Sequence, residues 1–173
     1  MYLADKLYNA MMAVDEKIKV LEVKDEASMS EYIKLYSELI YDHKWIGSIY
    51  DIYADEAQLF RENGVRFKGA HAIMQETMRF CSAFPNLKLQ MIDCFAVKKS
   101  ETCYKVWRYF VMEGNNINYS QYGAATGKAL DPDKCISMSM ATVELINGRW
   151  QITRDFTMYS IDEIAATCSA EGV

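Results

Sequence analysis

Apolar residues near the start of the chain recur with helical spacing. Leu7, Met11, Val14, Ile18 and Leu21 fall four and three positions apart. They form one seam on a helix of about 20 residues. The seam has two readings, packing on its own domain or contact with a second copy. "KDEASMS" reads as a loop, and Ser30 as the cap of a second helix. That helix carries Ile33, Tyr36 and Ile40 along one face and runs to Asp42. "HKWIGSIYDIYADEAQLF" reads as a short third helix leading into an extended piece that ends near Phe60. Asn63-Gly64 is a turn signal. After Gly69 the helical spacing returns with Ile73, Met74, Thr77, Met78, Cys81 and Phe84, and Pro85 stops it because proline cannot continue a helix.

From Asn86 the period falls to two. Leu87, Leu89, Met91, Asp93, Phe95 and Val97 share one side of a strand. On the next strand Tyr104, Val106, Arg108, Phe110 and Met112 share one face, and Trp107, Tyr109 and Val111 the other. Both faces are rich in apolar residues, which marks a central strand. "GNNINYSQYGAATGK" is polar and compatible with extended backbone. "CISMSMATVELING" alternates again, Asn147-Gly148 turns the chain, and "RWQITRDFTMY" returns it. "SIDEIAATC" closes as a short helix. Helices followed by consecutive strands joined by tight turns define an α+β domain. The predicted shape is a cone-shaped, curved antiparallel sheet with the N-terminal helices packed over its concave face. Residues 1–28 form a helical extension and residues 29–173 the domain proper.

Composition narrows the function. The 173 residues are 51% hydrophobic and 25% charged, with only two prolines. That is material for one packed domain without a long linker. The net charge of −5 argues against general nucleic-acid binding, which needs a basic face. No run of apolar residues reaches the length of a membrane span, and "MYLADKLYNAMMAVDEK" is charged throughout, unlike a secretory leader. Five cysteines without such a leader read as reduced thiols, so a cytoplasmic location is expected. "GAATGKA" fails the phosphate-loop spacing and lacks its hydroxyl.

Several segments, in order, resemble the SnoaL-like polyketide cyclase group of the nuclear transport factor 2-like superfamily. They are "IYADEAQL", "FKGAHAI", "FPNL", "VWR" and "ATGK", and the resemblance spans residues 30–167. It implies an apolar cavity between helices and sheet and no cofactor; two histidines with no nearby carboxylate pattern give no metal site, and a homodimer through sheet faces or the N-terminal helix is expected. The implied ligand is a small hydrophobic oxygenated molecule. The implied chemistry is cyclisation, isomerisation or dehydration by proton transfer. The family's histidine position falls here on Asn115 or Asn116. Its aspartate position, counted from Gly148, falls near Met158, three residues past Asp155. These departures keep a non-catalytic ligand carrier or dimerisation module as the alternative.

A carboxylate in an apolar cavity can exchange protons near neutral pH. Asp155 is the first candidate for that role. Strict alternation puts Trp150, Ile152, Arg154 and Phe156 on one face and Asp155 on the other. If the tryptophan face lines the cavity, Arg154 points in, and only a bulge or strand end turns Asp155 inward. Arg108 on a central strand needs a partner. Asp93 on the neighbouring strand is the expected one, as an ion pair or as part of an anchor for a ligand anion. His43 and His71, the only histidines, are candidate general bases or structural residues. Tyr36, Tyr53, Tyr104 and Tyr119 offer hydroxyls for a carbonyl or enolate oxygen, and Asn116 can orient the same oxygen.

Overall fold

A computed structural model describes residues 2–169; the last four residues of the expected 29–173 domain lie outside them. Helix α1 (Leu3–Val20) buries only part of its predicted seam. Val14 and Ile18 pack on Leu35 and Leu39, while Leu7 is exposed. Helix α2 (Glu26–Ser37) begins earlier than Ser30 because Asp25 caps it. The Asp25 carboxylate accepts the Ser28 amide proton at 2.8 Å, and the Ser28 hydroxyl accepts that of Asp25 at 3.0 Å. This reciprocal pair satisfies two of the helix's free N–H groups. Ser30 instead sits buried in the helix, its hydroxyl donating to the Glu26 carbonyl.

The helix continues through a π-helical turn (Glu38–Asp42). A 3-10 turn (Ile46–Ser48) and the short α3 (Ile49–Ile52) follow. The remaining elements are β1 (Tyr53–Arg61), β2 (Arg66–Lys68), α4 (Ala70–Ala83), β3 (Lys88–Ser100), β4 (Cys103–Glu113), β5 (Ile136–Ile146), β6 (Arg149–Met158) and α5 (Ile161–Cys168). Asn147 and Gly148 take φ of 50° and 79°. These left-handed angles match a tight hairpin turn to the strands' right-handed twist.

The six strands form one open sheet in the order β2-β1-β6-β5-β4-β3. The run from β3 to β6 is the expected antiparallel meander. The sheet as a whole is mixed, because β1 lies parallel to β6. Local alternation carries no trace of a partner arriving about ninety residues later. The inner face of the sheet packs Cys94, Ala96, Tyr104, Val106, Ala141, Val143 and Ile152 against Met29, Ile33, Ile40, Ile49 and Ile52 of the helices. A second apolar cluster joins Phe80, Phe84, Leu87, Phe110, Tyr159 and Ile164 towards α5. All five cysteines are unpaired.

Two bulges reset which side chains face inward. In β3, Met91 pairs with Phe110 but Asp93 with Tyr109, so Ile92 is an extra residue. In β6, Thr142 pairs with Arg154 but Val143 with Ile152, so Thr153 is extra. A residue without a partner shifts the alternation by one position and bends the strand. After Ile92 the buried positions become Cys94 and Ala96; after Thr153 they become Asp155 and Thr157.

Candidate functional site

The bulge at Thr153 delivers Asp155 to the interior, where its side chain is 1% exposed. Three donors meet it. The Tyr53 hydroxyl donates to Oδ2 at 2.7 Å, Arg108 Nη2 donates to the same oxygen at 2.9 Å, and the Thr157 hydroxyl donates to Oδ1 at 3.0 Å. Each partner comes from a different place. Tyr53 opens β1, Arg108 lies mid-β4, and Thr157 is two residues along on the same face of β6. Arg108 also has a partner on each of its other nitrogens. Its Nε donates to the Ser139 hydroxyl at 2.6 Å and its Nη1 to the Ser37 hydroxyl at 3.3 Å. A buried ion pair is tolerated only when its remaining polar atoms are satisfied in this way.

The electrostatics follow from burial and proximity. Burial, the largest single influence, pulls the Arg108 pKa down, but Asp155 and then Tyr53, Tyr41 and Tyr159 together outweigh it and the net shift is upward. For Tyr53, burial and then the Asp155 charge both act upward and hold the hydroxyl well above its ordinary value of 10.0. Arg108 therefore stays charged, and Tyr53 stays a donor.

Tyr36, Ser37, Tyr53 and Arg108 border a small space walled by Ile33, Ile40, Ile49, Ile52 and Ile152. Its volume is about 10 Å³, the size that holds a single water. The deep apolar cavity expected from the sequence is reduced to this slot because the isoleucines fill the hollow. Trp107 and Tyr109 do not fill it: they lie on the outer face, where Trp107 stacks on Phe95 at 5.3 Å.

Of the residues singled out in the sequence, the structure gathers Asp155, Arg108, Tyr53 and Tyr36 at one place. The others lie elsewhere. Asp93 is exposed, because the Ile92 bulge turns it outward, and Asp155 takes the place expected of it beside Arg108. Arg154 is exposed for the matching reason in β6. Tyr119 is 79% exposed on the β4–β5 connection. His71 is exposed on α4, with its Nδ1 2.6 Å from the Tyr50 hydroxyl. His43 is half-buried at the end of the π-helical turn, 3.5 Å from Glu38. Tyr104 is buried but packs edge-on to Trp150 at 5.2 Å. Asn116 is fully buried and braces the β4–β5 connection: its Oδ1 accepts the Thr126 amide proton at 2.9 Å, and its Nδ2 donates to the Ala83 carbonyl at 3.4 Å.

Two participants were missed. Ser37 and Tyr41 lie four and eight residues after Ile33, on the stripe that also holds Tyr36 and Ile40. The helical period could have found both. Tyr41 is partly buried and its hydroxyl lies 3.0 Å from that of Tyr159. Burial, then the nearby Tyr159 and Tyr53, hold its pKa well above the ordinary 10.0.

No family model and no curated protein matches the sequence. Solved structures do resemble the chain. A protein from a Jannaschia species, provisionally named a SnoaL-like polyketide cyclase, superposes with a TM-score of 0.59 at 10% identity, over 86% of this chain and 98% of that one. An NTF2-like protein of unknown function from Pseudomonas putida gives 0.56 at 13% identity, over 77% and 84%. A Shewanella frigidimarina protein provisionally named a ketosteroid isomerase gives 0.55 at 14% identity, over 74% and 93%. At these identities the likeness is one of fold. The chain has the α+β fold shared by nuclear transport factor 2-like and SnoaL-like proteins. Among the described residues no helix is long and apolar enough to cross a membrane.

Proposed function

We propose that the protein binds a small, mostly apolar, oxygen-bearing molecule at the inner wall formed by Tyr53, Arg108 and Asp155, and that Asp155 exchanges a proton with it. The reaction class is cyclisation, isomerisation or dehydration without a cofactor. One observation carries this reading: a guanidinium and a phenol that border the slot converge on one buried carboxylate directly behind them. Proton abstraction beside a carbonyl needs a base and a donor for the developing oxyanion. Asp155 supplies the first, and Tyr53 or Arg108 the second. The neighbours provisionally named cyclase and isomerase support the same class. A ligand larger than one water must displace the helical roof. The π-helical turn that carries Ile40 and Tyr41 over the slot is the segment of that roof least like a regular helix.

A second reading rests on the same atoms. Asp155 already accepts three hydrogen bonds, and it is Tyr53 and Arg108 that border the slot of about 10 Å³, as expected of a purely structural ion pair. The test is deuterium exchange at the α-carbon of a panel of cyclic and aryl ketones, followed by NMR in D2O. Proton-transfer function predicts exchange accelerated by the wild type and lost in Asp155→Asn with the fold retained. Absence of acceleration for every ketone in the panel leaves the structural module.

Two further parts belong to this proposal. A second copy of the chain covers the outer sheet face, where the Phe60–Phe156 and Phe95–Trp107 stacks lie and Met138 and Met158 are exposed. Light scattering at micromolar concentration reads the dimer directly, and a monomer there removes this part. The compartment is the cytoplasm, a reducing environment suited to five unpaired cysteines.

A further inference from the structure

The far end of the same interior holds a second arginine in a different situation. Arg61 closes β1, and its guanidinium carbon lies 3.8 Å from the centroid of the Tyr159 ring. The ring is fixed from behind by Phe80, stacked at 5.6 Å, and by the hydrogen bond between the Tyr159 and Tyr41 hydroxyls. The arginine thus lies over an aromatic face. Its Nη1 is buried and has no hydrogen-bond partner. Among the described residues no carboxylate pairs with Arg61. The adjacent Glu62 accepts the Tyr159 amide proton at 2.9 Å. A buried donor left unmatched on a charged group is disfavoured unless something completes it.

Arg61 lines a pocket of about 310 Å³ between β1, α4, α5 and the β4–β5 connection. That is the lower end of the range for small-molecule sites, about 300–1,000 Å³. Its walls combine Val65, Phe67, Ile161 and Ile164 with Tyr122. Burial pushes the Tyr122 pKa up to about 12, so its hydroxyl is a donor at neutral pH. Arg79 adds a second positive charge at the rim, opposed by Glu76 one turn earlier on α4. Two arginines against one glutamate make the lining positive in a chain whose net charge is −5.

We infer that this pocket is a binding site for a small organic acid, its carboxylate held by Arg61 and its flat apolar body packed against Phe67 and Tyr122. A carboxylate offers the acceptor that Nη1 lacks, and the planar guanidinium suits two parallel hydrogen bonds to it. The apolar walls select against inorganic anions, which would leave Phe67 and the two isoleucines facing nothing. The site is separate from the Asp155 array, although the Tyr41–Tyr159 hydrogen bond spans the space between them.

The test is a titration of the full chain with benzoate, phenylacetate, benzamide and inorganic phosphate, followed by amide NMR shifts. Both carboxylates should saturate with a Kd at or below about 1 mM, and the shifts should centre on Val65, Tyr122 and Tyr159. Benzamide and inorganic phosphate should each bind at least about 30-fold more weakly, and Arg61→Met should weaken benzoate by a similar factor, as expected when one partner of a buried charged pair is removed. Equal binding of acid and amide overturns the inference. So does phosphate matching benzoate, shifts centred elsewhere, or no saturation by either acid. If Arg61→Met does not fold, the acid-to-amide comparison on the wild type decides alone.

Discussion

Two arginines sit inside this fold, and their surroundings differ. Arg108 has a carboxylate and two serine hydroxyls on its three nitrogens. Arg61 has a tyrosine ring against its face and a buried Nη1 with no hydrogen-bond partner. Burial works against both charges, and in both the net pKa shift is upward. For Arg108 the largest opposing influence is Asp155; for Arg61 it is Tyr159. A charge matched by its own chain stabilises the fold, whereas a charge matched only by a ring face is available to something else. That contrast orders the effects of substitution.

The largest effect should come from Asp155→Ala. It leaves Arg108 charged, buried and without its counterion, which costs about 3–5 kcal/mol. In a chain of this length that corresponds to a fall in Tm of about 10 °C, read by calorimetry. Tyr53→Phe removes one hydrogen bond to the same carboxylate but leaves the ion pair, so urea unfolding should report a smaller loss of about 1.5–3 kcal/mol.

The two interior tyrosines add an alkaline signature. The folded pKa of Tyr53 and of Tyr41 lies above the unfolded value of 10.0. Their contribution is therefore complete below that pH. Above it the unfolded chain releases protons that the folded chain keeps, and stability falls as pH rises. Unfolding midpoints measured upward from pH 9 should decline in the wild type and decline less steeply in Tyr53→Phe.

The smallest effect should be Arg61→Met. It removes a cation–π contact but also a buried unmatched charge, and the net change should stay within about 1 kcal/mol. A loss equal to that of Asp155→Ala would erase the distinction between the two arginines.

Much of the fold could be read from the residues. The change from helical to alternating spacing at Asn86, the stop at Pro85 and the Asn147-Gly148 turn mark elements that the structure contains. What could not be read are the two extra residues, Ile92 and Thr153. Both are β-branched, and both look like ordinary strand positions. A bulge inserts nothing conspicuous; it only shifts the phase of the later strand positions. That shift exchanged Asp93 for Asp155 as the partner of Arg108 and sent Arg154 to solvent. The parallel pairing of β1 with β6 was hidden for a different reason, since it depends on residues far apart in the chain. Arg61 was passed over because it precedes the Asn63-Gly64 turn and reads as solvent-facing, whereas Tyr159 and α5 return from the end of the chain to enclose it.

The central claim is that the Thr153 bulge aims Asp155 at Arg108, so that the two act as one buried unit. A double-mutant cycle tests it most directly: urea unfolding of Asp155→Leu, Arg108→Met and the pair together. If the account holds, each single variant loses about 3 kcal/mol or more, and the double variant loses less than the two losses combined by at least about 2 kcal/mol, because neither charge is left alone. Losses that simply add would mean that the two side chains do not meet inside the protein.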